Sequence, residues 1–119
     1  MFSLRLANAD GVVIASPHLR VKFHALILEL ASKRRLPLVG HRGEWVERGA
    51  LFSYNVDLRT VGFAAAARYV DRILKGVKPA DLPVEQVSQY QLIVNRKTAK
   101  AYGITIPNTI LVRADKVIE

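Results

Sequence analysis

LPLVGHRGEWVERGALFSYN, residues 36–55, is the stretch that decides the fold. Leu36-Pro37-Leu38-Val39-Gly40 reads as a short apolar strand entered through a proline. Glu44–Arg48 can make a turn or two of helix, which Gly49 stops. Ala50-Leu51-Phe52-Ser53-Tyr54 is a second strand, ending at Asn55. Only a loop and a helix separate the two strands, which favours a parallel crossover over a hairpin.

The same alternation continues outward. Gly11-Val12-Val13-Ile14-Ala15 is another β-branched strand, and Ser16-Pro17 after it is a helix start, with serine able to cap and proline tolerated in the first turn. The helix is expected over His18–Arg34. Leu19, Phe23, Leu26, Leu30 and Lys33 follow helical spacing, with Ile27 beside them. A long helix fits Leu58–Lys75, with apolar residues on two adjacent tracks and Gly76 as its stop. Lys78–Pro83 is a proline-rich loop. Gln89–Asn95 reads as a strand, Arg96–Tyr102 as a short helix capped by Asn95 and closed by Gly103, and 107–116 as a last helix. This order predicts an α/β fold, a three-layer sandwich with a mainly parallel sheet in which residues 11–15, 36–40 and 51–54 are parallel neighbours.

The length of 119 residues suits one domain, and half the chain is apolar, enough for an ordinary core. The formal charge of +8 raises the question of nucleic acid, but residues 1–60 and 61–119 each carry nine basic and five acidic side chains, so no dedicated patch is evident. The absence of cysteine excludes disulfides, thiolate metal sites and cysteine nucleophiles. Met1–Leu6 does not read as a secretory signal, and no run approaches the ~20 apolar residues of a membrane span. Cytoplasmic location is therefore expected of the chain as written. No phosphate loop, zinc-protease helix or nucleophile elbow occurs. His18 and His24 fall on different faces of one helix and cannot share a metal. No catalytic residue, metal or cofactor is expected, and nothing suggests an enzyme.

Polar residues stand just past the strands, where parallel α/β sheets bind ligands. Ser16 and His18 follow the first strand, His41 and Arg42 the second, and Tyr54, Asn55 and Asp57 the third; Glu44 opens the helix between the last two. Tyrosine offers an apolar face and a hydroxyl, and asparagine donors and an acceptor. Strand ends also need turn and cap residues, so both readings stay open.

From Arg35 onward the pieces "KRRLPLVG", "EWVERGALFSYNVDL", "AARYVDRILKGVKPADLPVEQVSQYQLIVNRKTAKAYGITIP" and "LVRADKVIE" occur in order. Together they resemble the C-terminal part of ABC-transporter substrate-binding proteins of the tryptophan/tyrosine-binding-like group, with the type 1 periplasmic binding fold. "ILKGVKPADLPVEQ" is the most specific piece, and "ADGVVIASPH" fits the strand that precedes the block. The resemblance implies one lobe of a two-lobed clamp and ligand-facing loops at Ser16–His18, His41–Glu44 and Tyr54–Asp57. It also implies handover to a permease outside the inner membrane. Tyr54-Asn55 falls where the family has Tyr-Gly, and asparagine can take the left-handed conformation that glycine supplies. His18 and His41 depart from the family pattern, and its export signal and N-terminal lobe are missing from this sequence.

Three functions follow. The first is a truncated solute-binding module for a small, amino-acid-like ligand. The second is a structural or interaction remnant that has lost its ligand. The third is a regulatory nucleic-acid-associated binder, against which the lack of a helix-turn-helix counts. Because the 58–75 helix is apolar on more than one stripe, a homodimer is expected, with that helix or the C-terminal segment exchanged between protomers.

Overall fold

Val12 pairs with Leu38 and Val13 with Val39, while Val39 pairs with Phe52 and Gly40 with Ser53, both ladders parallel. The three strands are thus the expected parallel neighbours. The computed structural model describes residues 8–15, 22–57, 61–86 and 88–119. Its elements are β1 (Val12–Val13), α1 (His24–Lys33), β2 (Leu38–Gly40), α2 (Gly43–Glu47), β3 (Phe52–Val56), α3 (Phe63–Leu74), a 3-10 turn (Pro79–Asp81), β4 (Tyr90–Asn95), α4 (Arg96–Tyr102), α5 (Asn108–Leu111) and β5 (Lys116–Ile118). The sheet order is β1-β2-β3-β4-β5. The class is α/β, as the alternation of elements predicted.

β4 and β5 are parallel, with Ile93 opposite Lys116 and Asn95 opposite Ile118. The Asn95 N–H donates to Leu51 O at 2.8 Å, so the end of β4 meets the residue before β3 begins. The two neighbours therefore run in opposite directions, and the sheet is mixed.

The residues group into two compact units. One holds Met1–Tyr54 with Leu92–Glu119, and the other Asn55–Gln91. In the first, Ala31, Leu38, Trp45, Val46 and Ala50 are buried together, with Ile27, Leu28, Ile93 and Ile118 packed against them. Side chains alternate across a strand, so Ile93 and Asn95 share the face that meets this cluster. In the second unit, the Tyr69 hydroxyl donates to Pro83 O and accepts from the Glu85 N–H, and Arg68 pairs with Glu85 at 2.9 Å. These contacts tie α3 to the proline-rich loop. None of α3 is buried, and Phe63 and Leu74 are 71% and 82% exposed.

Four helices close alike. The Leu36 N–H reaches back to Ala31 O and the Arg35 N–H to Ser32 O, and the same pair of bonds ends α2, α3 and α4. These are Schellman closures, whose residue just past the helix takes positive φ. Gly49, Gly76 and Gly103 fill that place in three, as the sequence predicted, and Arg35, at φ 52°, fills it in α1.

Three expectations are corrected. The helix predicted over 107–116 is only the turn Asn108–Leu111, followed by a strand. The reason is tertiary: Val117 pairs with Val94, Ile118 packs on the Trp45 cluster, and Asp115 exchanges two hydrogen bonds with Leu92. Among α1's residues, Ile27, Leu28 and Ala31 turn inward, while Leu26 is 49% exposed and Lys33 pairs in solvent with Glu29. Finally, β3 does not end at Asn55 but runs through Val56. Among the described residues Arg35 alone has positive φ without being glycine, so Asn55 takes no left-handed turn. The capping expected of Ser16 and Pro17, and Leu19 of the helical stripe, lie outside the described residues.

Candidate functional site

β2 and β3 are parallel, but β2 ends at Gly40, opposite Ser53, while β3 continues to Val56. His41, the residue after β2, and Tyr54, the third residue of β3, each follow that pair by one position. Ser53 is buried at 2% exposure, so Tyr54 must face the other way, and it is 62% exposed. Arg42 follows in extended backbone (φ −137°, ψ 163°) as the residue before α2, with no side-chain capping bond. Glu44 stands exposed in the first turn of α2, where a carboxylate suits the helix dipole.

His41, Arg42, Glu44 and Tyr54 belong to one unit, with His41 just past the end of β2 and Tyr54 within β3. Asn55 and Asp57 fall in the second unit, where Asn55 Oδ1 accepts the Val56 N–H at 2.8 Å. Ser16 and His18 lie outside the described residues. Together His41, Arg42, Glu44 and Tyr54 offer an imidazole, a guanidinium, a carboxylate and an aromatic hydroxyl. Such a set can hold a zwitterion or an aromatic ring.

Several other polar side chains make structural contacts. Arg48 Nη1 donates to His24 Nε2 at 2.6 Å. Arginine has no acceptor, so the guanidinium is the donor in this contact. The His24 ring also lies 6.2 Å from that of Trp45. Glu47 reaches Lys116 of β5 at 2.7 Å; this hydrogen bond, with the ammonium charge, holds the Glu47 carboxyl below its ordinary value. Lys33 lowers Glu29 in the same way. Among the described residues no three His, Cys, Asp or Glu side chains converge on a metal position. No helix there is long and apolar enough to cross a membrane.

A concave surface lies past the ends of β4 and β5. It is a groove of about 940 Å³, whose lining includes Lys97, Lys100, Ile104, Ile106 and Leu111. It was not legible in the sequence, although two cations opening α4 were a visible oddity.

The chain matches the family described as "ABC transporter substrate binding protein" over residues 3–118. It is 24% identical over 96 residues to a tyrosine-binding protein of Clostridioides difficile, covering 81% of this chain and 28% of that protein. Among solved structures it resembles an ABC domain in complex with L-Trp from Streptococcus pneumoniae, with TM-score 0.82 and 29% identity, over 94% of this chain and 38% of that one. A conserved domain protein from Vibrio cholerae superposes with TM-score 0.79 at 30% identity, over 91% and 36%. The chain therefore spans between a quarter and two fifths of the length of these relatives. With its parallel strands carrying polar residues at their carboxyl edge, and a family match across nearly all its residues, the chain belongs to the ABC transporter substrate-binding proteins.

Proposed function

We propose that the chain is the C-terminal part of a solute-binding protein and holds a small, amino-acid-like ligand at the carboxyl edge of β2 and β3. The observation that supports this reading is the parallel pairing of β2 and β3, whose Gly40–Ser53 pair His41 and Tyr54 directly follow. Two relatives support the ligand class, since one is named as tyrosine-binding and another was crystallised with L-Trp. Tyr54 supplies a face for an aromatic or aliphatic side chain, and Arg42 and Glu44 supply charges for carboxylate and ammonium. Ser16, His18, Asn55 and Asp57 keep the ligand-facing role that the family resemblance gives them. The role is binding and handover to a permease, without catalysis.

The chain spans 28% and 38% of the length of these two relatives, so the affinity of this chain by itself is expected to be weak. Thermal-shift and calorimetric titrations with L-Trp, L-Tyr and a panel of other amino acids test the reading. A rise in melting temperature that Tyr54→Ala abolishes supports it, and no response to any amino acid at millimolar concentration overturns it.

The same reading includes a homodimer in which α3 is covered by a second copy. Phe63, Val70, Ile73 and Leu74 are each more than 40% exposed along this helix, an apolar area that favours burial. Sedimentation at micromolar concentration decides it: a species of twice 13.3 kDa is expected, and a clean monomer refutes it.

A further inference from the structure

The first turn of α4 carries Arg96 and Lys97 and no acidic residue. The positive end of a helix dipole disfavours cations there, so the sequence accepts a local electrostatic cost. Arg96 has a compensation, because Nη1 donates to Glu119 Oε1 at 2.7 Å. Lys97 has no ion-pair partner among the described residues, and neither does Lys100 one turn along the same side. Both lysines line the groove at the ends of β4 and β5 with the half-buried Ile104, Ile106 and Leu111, and the mutually neutralised Arg96–Glu119 pair lines it too. An apolar surface beside two unneutralised cations is complementary to a molecule with an apolar body and one acidic group.

We propose that the groove beside α4 binds an amphipathic organic carboxylate, a free fatty-acid-like molecule. Its acid group sits between Lys97 and Lys100 and its chain lies on Ile104, Ile106 and Leu111. The site is separate from His41 and Tyr54, which do not line it. Both can be occupied at once.

Decanoate, decanol and decylamine, each below its micelle-forming concentration, serve as probes in amide-resolved NMR titrations of the whole chain. Decanoate is expected to shift the amides of α4 and residues 104–106 and to bind at least about tenfold more tightly than decanol, with decylamine weaker still. Lys97→Gln with Lys100→Gln should remove that advantage, and Lys97→Arg with Lys100→Arg should keep it. The comparison of the three probes on the unsubstituted protein stands even if a variant folds poorly. Equal binding of decanoate and decanol, or shifts confined to other surfaces, overturns the proposal. So does capture by phosphatidylglycerol vesicles without binding of free decanoate.

Discussion

The Asn95 side chain joins α2 to α4: Nδ2 donates to Val46 O at 2.8 Å while Oδ1 accepts the Thr98 N–H at 2.9 Å. The residue is buried, at 4% exposure, so neither bond is readily replaced by water. Asn95→Ala removes a helix cap worth ~1 kcal/mol and takes from the Val46 carbonyl one of its two donors, leaving it the Gly49 N–H, at ~0.5–1.5 kcal/mol. A loss of roughly 1.5–2.5 kcal/mol is expected in urea unfolding. Asn95→Asp keeps the cap and loses the bond to Val46, so it should be destabilising too. Equal stability of Asn95→Asp and the parent would show that the Val46 bond contributes nothing.

Gly40 is the last residue of β2, and a methyl group there would sit 2.7 Å from Trp45 Cβ and 3.2 Å from Ala50 Cβ. Both neighbours are buried, and neither is the free end of a flexible chain. Gly40→Ala should therefore cost ~1–3 kcal/mol through overpacking. It should also weaken any ligand response, because His41 and Arg42 directly follow β2. At Gly103 the reason is different: nothing lies within 4 Å of an added Cβ, but φ is 72°. Gly103→Ala is expected to cost ~1 kcal/mol through backbone strain alone. Chemical denaturation of the two variants checks both figures.

Arg35 performs, at φ 52°, the turn that glycine performs after α2, α3 and α4. An L-residue there costs ~1–2 kcal/mol, while glycine adds ~0.5–1 kcal/mol of unfolded-chain entropy. The strain is the larger effect, so Arg35→Gly should stabilise by roughly 0.5–1 kcal/mol and raise the melting midpoint by a few degrees. A lower midpoint would show that the guanidinium makes a compensating contact.

Local chemistry made much of this fold readable. Short β-branched runs bounded by glycine and proline marked β1, β2 and β3, and Asn95 and Gly103 marked both ends of α4. The missed element, β5, has only three residues and depends on pairing with β4, a relationship no local window contains. The inward face of α1 was misplaced because Leu26 and Ile27 are equally apolar, and only the position of Trp45 and Val46 chooses between them. Of the proposed ligand residues, His41 does follow a strand, whereas Tyr54 lies within β3, which runs on to Val56. The groove beside α4 was not legible, because Ile104, Ile106 and Leu111 come to the lysines through folding of a segment that reads as loop.

Glu47 and Lys116 lie 69 residues apart in sequence, and their pairing connects α2 to β5. The hydrogen bond to Lys116, then its charge, lowers the Glu47 carboxyl from 4.5. A carboxyl lowered by folding adds stability above its unfolded value, and that contribution disappears as pH falls through the folded value. Protonation therefore loosens the α2–β5 connection only below about pH 4.5, the ordinary value of this carboxyl. The pair is exposed, so the effect is small and should shrink further in high salt. Urea midpoints measured at pH 6 and pH 3 should differ less for Glu47→Gln than for the parent, and less again in molar salt. Lys116→Met should produce the same flattening, since without Lys116 folding no longer lowers the Glu47 carboxyl. If Glu47→Gln retains the parent's full acid sensitivity, the stability lost below pH 4.5 comes from other carboxylates, Glu29 beside Lys33 being the next to test.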